Sequence, residues 1–275
     1  MIEREDPVNF STLKHILKSP RHYRHALAHP REDTDALRLG RAIHAAIYEP
    51  ERFASEWVVS PNFHRGMKDD TARAKGYDGG KSAALEWEAQ HQAVEIVSAD
   101  QMEAVKGMRA ALILDPVASR YIVGGVSEQP IAWLDDETGI CCRGRVDHCN
   151  GAASDLKSTA FIEPRAVSRS VGSLLMHMQL AYYTDGLTTS GYKLHDPGAL
   201  IFVESCAPHD VLVLEFTDDD IAKGRAMYRK ALSILKECRE RNEWPGVAGG
   251  EKGRVQIPEW AVPEQKPLML DGEPW

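Results

Sequence analysis

Three short segments in the middle of the chain, 127–134, 140–149 and 152–158, constrain its fold more than any other feature. The first two carry β-branched residues, and turn signals part the three: Asp135-Asp136-Glu137-Thr138-Gly139, then Asn150-Gly151. Such spacing predicts an antiparallel meander. The flanking sequence follows a helical period instead. Ser19-Pro20 reads as an N-cap with proline at the first helical position. A helix is predicted from near Asp33-Thr34 to before Pro50, with Leu37, Gly40, His44 and Ile47 on one face, directed to the interior. Residues 60–80 read as a loop, 82–93 and 100–122 as helices, and 163–190 as helical. Strands are expected near 199–206 and 210–217. A long helix should start at the Thr217-Asp218 cap and run to about 241, with acids first and bases last.

This order predicts an α/β chain: a helical N-terminal part over 1–123, a sheet core over 124–243, together one domain, and an irregular tail over 244–275. With 43% apolar and 27% charged residues in 275, the composition is that of an ordinary globular protein. No apolar run approaches the roughly 20 residues that span a bilayer, so no membrane helix is expected. The acidic start, Met1 to Asp6, has no apolar stretch of a signal peptide. Five cysteines without a C-x-x-C pair suggest reduced thiols and a cytoplasmic setting.

The net charge of −8 argues against a protein that coats DNA indiscriminately. Residues 12–41 nevertheless carry a local +4, from Lys14, Lys18, Arg21, Arg24, Arg31, Arg38 and Arg41 against three acids. A phosphate-binding face and a solvated helix surface both fit that charge.

Candidate chemistry lies on the second and third strands. Side chains of like parity share a strand face, so Arg143, Arg145 and Asp147 align, as do Asp155 and Lys157. A two-residue Asn150-Gly151 turn would pair Asp147 with Ser154. A three-residue loop over 150–152 would pair Asp147 with Asp155 and Arg145 with Lys157, and this register is the expected one. Two facing carboxylates repel unless a cation lies between them. Mg²⁺ prefers one or two carboxylates plus water and phosphate oxygens. A lysine beside such a site can hold or activate water. With Glu128 and His44 added, the set suits phosphodiester hydrolysis. Gln179 and Tyr183, four apart, share a helix face.

Asp-x-Lys alone occurs by chance, but the ordered series is rarer. Gly40-Arg41-Ala42-Ile43-His44, Cys142-Arg143-Gly144-Arg145-Val146-Asp147, Asp155-Leu156-Lys157-Ser158-Thr159 and His177-Met178-Gln179-Leu180-Ala181-Tyr182-Tyr183 resemble the motif series of RecB-type PD-(D/E)xK nucleases. Within these, the chain most resembles the RecE-type exonuclease VIII of prophages, over roughly residues 8–217. The N-terminal Ser11-Thr12-Leu13 and Ser19-Pro20-Arg21-His22-Tyr23 are also similar. The resemblance implies a restriction-endonuclease-like core, with a central mixed β-sheet flanked by helices. It implies that His44, Asp147, Asp155 and the Leu156 carbonyl bind Mg²⁺, with Mn²⁺ able to substitute. Lys157 would activate water, Glu128 would assist, and Gln179 and Tyr183 would contact DNA. Arg143 and Arg145 would either neutralise Asp147 or touch phosphate. The implied activity is 5′-to-3′ degradation of one strand of linear duplex DNA. It would leave 3′ overhangs for a RecT-type annealing protein and be carried out by a ring-shaped homotetramer.

Other assignments fit less well. Gly76–Ser82 has three residues between its outer glycines where a phosphate loop has four. His25 and His29 lack the glutamate of a zincin helix. Cys206 and Cys238 are too few for the iron–sulfur cluster of Cas4-like relatives. Trp244, Trp260 and Trp275 read as packing residues. The alternatives kept are a Cas4-like nuclease without a cluster, an endonuclease, and a non-catalytic DNA-end-binding recombination module.

Overall fold

The structure, a computed structural model, describes residues 7–249, 256, 258, 269–270 and 273–274. In chain order, α1 (Phe10–Leu13), α2 (Pro20–Ala28), α3 (Asp35–Tyr48) and α4 (Pro50–Glu56) lead into β1 (Trp57–Val59). Next come α5 (Asp69–Ala74), α6 (Lys81–Gln90), β2 (Glu95–Val97), α7 (Ala99–Leu114) and α8 (Ala118–Ile122). The meander follows as β3 (Val126–Leu134), β4 (Cys141–Cys149) and β5 (Ala153–Thr159). Then α9 (Pro164–Ser173) and α10 (Met176–Thr189) precede β6 (Ala199–Glu204), β7 (Val211–Glu215) and α11 (Asp218–Arg241).

Strands β3 to β7 form one mixed sheet in sequence order, with β5 and β6 parallel and the other pairs antiparallel. A parallel pair needs a crossover, and α9 and α10 supply it. The sheet divides two layers. Val146 and Ala153 pack toward α10 and α11, whereas Leu156, Ile201 and Val203 pack toward α3 and α7. Buried on both faces, β6 is a nearly continuous apolar run. Caps match their sequence signals: Ser19 and Thr34 accept N–H bonds at the starts of α2 and α3, and Thr217 with Asp220 forms a capping box on α11.

Several expectations need correction. The 60–80 stretch is not all loop, because α5 lies in it. The helical segment 100–122 is two helices, broken after Leu114 ahead of Pro116. The segment 163–190 is also two, because Leu175 turns left-handed at φ 57. A parallel pair, β1 with β2, forms where no strand was expected; three-residue strands carry too little periodicity to read. The expected interior face of α3 is interior only at Ile47, which packs against the core. Ala42, Ile43 and Ala46 enter the core, whereas Leu37, Gly40 and His44 line a cleft. The tail, expected to be irregular, is described only in part, and it holds one short antiparallel pair, Met269–Leu270 with Glu273–Pro274. Trp244 stacks on Tyr23 with ring centroids 5.9 Å apart. Trp260 and Trp275 lie outside the described residues. All five cysteines are free, and no described helix is long and apolar enough to cross a membrane.

The β4–β5 register is the one a three-residue loop dictates: His148 faces Ser154 and Cys149 faces Ala153. The ladder then stops. Arg145 does not pair with Lys157, because the strands separate at Asp147 and Asp155. The other end of β4 is held by Val8, which donates to the Cys141 carbonyl (2.8 Å) and accepts from the Arg143 N–H (2.7 Å). Tyr182 ties this bridge to α10 by donating to the Val8 carbonyl at 2.7 Å. Among the described residues, the stretch of β4 from Gly144 to Asp147 thus has no strand partner on its β5 side.

Candidate metal centre

The slit between β4 and β5 opens into a cleft of about 550 Å³, walled by α3 and including His44, Glu128, Asp147, Leu156, Lys157 and Ser158. The Asp147 carboxylate fills the slit at backbone level: its Oδ2 accepts the Leu156 N–H at 3.0 Å, replacing a ladder bond. Glu128 faces Asp147 across β3 and β4, between the pairs Ser127–His148 and Gln129–Val146. Glu128 itself is left-handed, φ 49, which costs a non-glycine residue about 1–2 kcal/mol. Side-chain alternation shifts here too. Cys142, Val146 and Cys149 reach the α10 layer, while the His148 ring stacks on Tyr48 of α3 at 5.5 Å.

His44, Glu128 and Asp147 each present a ligand atom, all within 4.8 Å of one another. His44 Nε2–H donates to the Leu156 carbonyl at 2.7 Å. Its Nδ1 then points at Asp147 Oδ2 (3.6 Å) and Glu128 Oε1 (3.9 Å). A lone pair in that position would oppose two carboxylates, so Nδ1 must hold either a proton or a cation. Burial pulls the His44 pKa down, but Asp147 and Glu128 outweigh it and the net shift is upward. Burial pushes the Asp147 carboxyl up to about 6 despite the nearby His44. Burial also raises Glu128, yet its bonds to His44 and Arg145 leave it lowered overall. An oxygen-rich set with one imidazole, short of positive charge, fits a hard divalent ion.

Asp155 is 1% exposed and turns from this trio. Its Oδ1 accepts from Gln179 Nε2 at 2.9 Å, and its Oδ2 meets the Lys157 ammonium in an ion pair. Burial disfavours charge on Lys157, but Asp155 and Asp147 overcome it and raise its pKa. The sequence-derived metal set of His44, Asp147, Asp155 and Leu156 is therefore placed in two neighbouring groups. Glu128 stands among the candidate ligands, and Asp155 stands behind them beside Lys157.

The expected DNA contacts are placed unevenly. Gln179 spends its amide on Asp155 and on the Tyr183 hydroxyl (3.2 Å). Gly144 makes room for Tyr183, whose ring lies 3.1 Å from where a Cβ would be. Arg145 Nε pairs with Glu128 Oε2 at 2.5 Å, so the acid it neutralises is Glu128 and not the expected Asp147. Arg143 is exposed. Two of the seven basic residues of the 12–41 run are spent internally: Arg41 and Arg38 both bind Asp33, holding that carboxyl at about 2, and Arg41 also reaches Glu95. Sequence reading missed Tyr48 and His148. One signal was available, because Tyr48 lies one helical turn from His44, and the two rings meet edge-on at 5.8 Å.

The model of a family described as "PDDEXK-like domain of unknown function (DUF3799)" matches residues 9–252. The crystal structure of a "Putative exonuclease" from Eubacterium rectale has the same fold, with a TM-score of 0.56 and 12% identity over 94% of each chain. No curated protein matches the sequence.

Proposed function

The chain belongs to the PDDEXK-like DUF3799 family, and from that membership and the geometry of the cleft we propose that it is a divalent-metal-dependent exodeoxyribonuclease. In this reading it hydrolyses phosphodiester bonds of linear duplex DNA 5′-to-3′ in the cytoplasm. It leaves 3′ overhangs for a RecT-type annealing protein and works as a homotetramer. The observation that carries the nuclease reading is the juxtaposition of the His44–Glu128–Asp147 trio with the ion pair of buried Asp155 and half-buried Lys157. Polarity, partner and assembly rest on the sequence resemblance.

His44 Nδ1, Glu128, Asp147 and the Leu156 carbonyl would hold Mg²⁺, or Mn²⁺ in its place. The ion would supply Lewis acidity to a phosphate oxygen and to water. Lys157 keeps its proton in this setting, so it suits holding the attacking water and stabilising charge as it develops on the phosphate. Asp155 aims the ammonium, and Gln179 fixes Asp155. Arg145 balances Glu128 at the rim. The donor set is asymmetric, with one imidazole against two carboxylates.

Incubation with linear and covalently closed circular duplexes in Mg²⁺ tests the reading. Loss of the linear form alone, abolished by Lys157→Ala, is the expected result. Cutting of the circle would make the protein an endonuclease. DNA binding without nucleotide release in Mg²⁺ or Mn²⁺ would make it a binding module. Duplexes labelled at either 5′ or 3′ ends then read the direction.

A further inference from the structure

Lys157 and Ser158 line the cleft, and three residues beyond Ser158 the chain displays Phe161 with 72% of its surface exposed. The ring is not on a loose loop. The Thr159 hydroxyl donates to the Phe161 carbonyl at 3.1 Å, and the Phe161 N–H returns to Thr159 Oγ1 at 3.4 Å. Fully extended backbone from Lys157 reaches Phe161 within about 13 Å, which is some four stacked nucleotide steps at about 3.4 Å each.

The helix that follows, α9, is sharply two-sided. Val167 and Val171 pack beneath it, with Ile162, against Leu200 and Phe202. Its outer face carries Arg165, Ser168, Arg169 and Gly172, all exposed. Arg165 and Arg169 are one turn apart. Neither is ion-paired to an acid among the described residues, unlike Arg38, Arg41, Arg145, Arg225 and Arg229. The nearest acid in sequence, Glu163, is engaged in capping the N–H groups of Arg165 and Ala166. An exposed aromatic ring and two guanidinium groups without acid partners, on the segment that leaves the cleft at Ser158, have the chemistry of a single-strand track. There the bases stack and the phosphates are paired.

We propose that Phe161 and the Arg165–Arg169 face of α9 bind a single strand of DNA as it passes the catalytic cleft, Phe161 stacking on a base and the two arginines taking phosphates. This rests on the nuclease reading above and adds a substrate surface to it. The cation face selects a polyanion, and the ring selects one with accessible bases, hence unpaired DNA over intact duplex.

The test measures fluorescence anisotropy of a labelled 20-mer oligo-dT with the full chain in EDTA, beside digestion of linear duplex in Mg²⁺. Phe161→Ala should weaken oligo-dT binding about tenfold or more, and Phe161→Trp should restore it. Arg165→Ala with Arg169→Ala should flatten the salt dependence of log K by about 1.4, at roughly 0.7 for each phosphate no longer neutralised. Each variant should raise KM for DNA with kcat kept, and circular dichroism should show an unchanged fold because all three side chains are exposed. A wild type that digests DNA while all variants bind and digest equally overturns this surface alone. A wild type that neither binds nor digests DNA overturns the nuclease reading together with it. Equal tightness for blunt duplex and oligo-dT, insensitive to Phe161, overturns the stacking role.

Discussion

Glu128 and Asp147 face each other across β3 and β4 at the single position where that ladder is interrupted. Two carboxylates there would repel, and the chain adds backbone strain at Glu128 to the electrostatic cost. Such a combination persists where a cation compensates it.

The strain can be measured. Glycine tolerates positive φ, so Glu128→Gly should be more stable than Glu128→Ala by about 1 kcal/mol, while both lose nuclease activity alike. Urea midpoints compare them. Coincident unfolding of the two variants would mean that the left-handed turn is not retained.

Metal affinity should follow the protonation of Asp147. Its folded pKa of about 6 lies above the ordinary carboxyl value of 3.8, so the metal-free fold gives up stability as pH rises from about 4 to 6. Above that window the carboxylate is charged and ready for a cation. The rise in Tm on adding Mg²⁺ should therefore be larger at about pH 7.5 than at about pH 5.5. Asp147→Asn should remove both the pH trend and most of the Mg²⁺ effect. A Tm shift of equal size at both pH values would contradict this.

Gln179 is expected to act through Asp155. Gln179→Ala leaves a carboxylate oxygen that is 1% exposed at the residue level without its donor, at a cost of about 1–3 kcal/mol. Nuclease kcat should fall with little change in DNA affinity measured in EDTA. A selective loss of affinity would return Gln179 to the substrate-contact role that its spacing with Tyr183 suggests.

Removing Lys157 should do more than stop catalysis. Lys157→Ala leaves Asp155 buried and unpaired, a loss of about 3–5 kcal/mol at the upper bound for a buried pair and less here because Lys157 is 29% exposed. Lys157→Ala with Asp155→Asn should recover much of that stability and none of the activity. Thermal melts of both single variants and the double variant check the coupling.

The seating of α10 offers a structural control. A Cβ on Gly224 would lie 2.3 Å from the His177 carbonyl oxygen, so α10 and α11 touch at backbone level. Gly224→Ala should force the helices apart, cost about 1–3 kcal/mol, and disturb Gln179 and Tyr183 from a distance. Unchanged stability would show that the helices have slack.

The meander, its register and the long capped helices were legible because turns, caps and strand parity are local. His44, Asp147, Asp155 and Lys157 were legible as candidates for the same reason: their spacing places them on neighbouring elements. What parity cannot encode is a strand that stops pairing, so the parting of β4 from β5, and with it the division of the carboxylates into two groups, was not readable. Glu128 was visible only as an accessory, because its left-handed turn gives no signal in residue type. The face of α3 misled for another reason. Leu37, Gly40, His44 and Ile47 have the period of a buried stripe, but only Ile47 packs inward and the other three wall an open cleft.

The bridge made by Val8 ties the segment ahead of α1 to β4, the strand that carries Asp147 more than a hundred residues further along the chain. It acts as a clasp at the end of β4 where β5 has already departed. A bulky replacement at Val8 should therefore loosen that end of β4 and, through it, the seat of Asp147, which a smaller rise in Tm on adding Mg²⁺ would register.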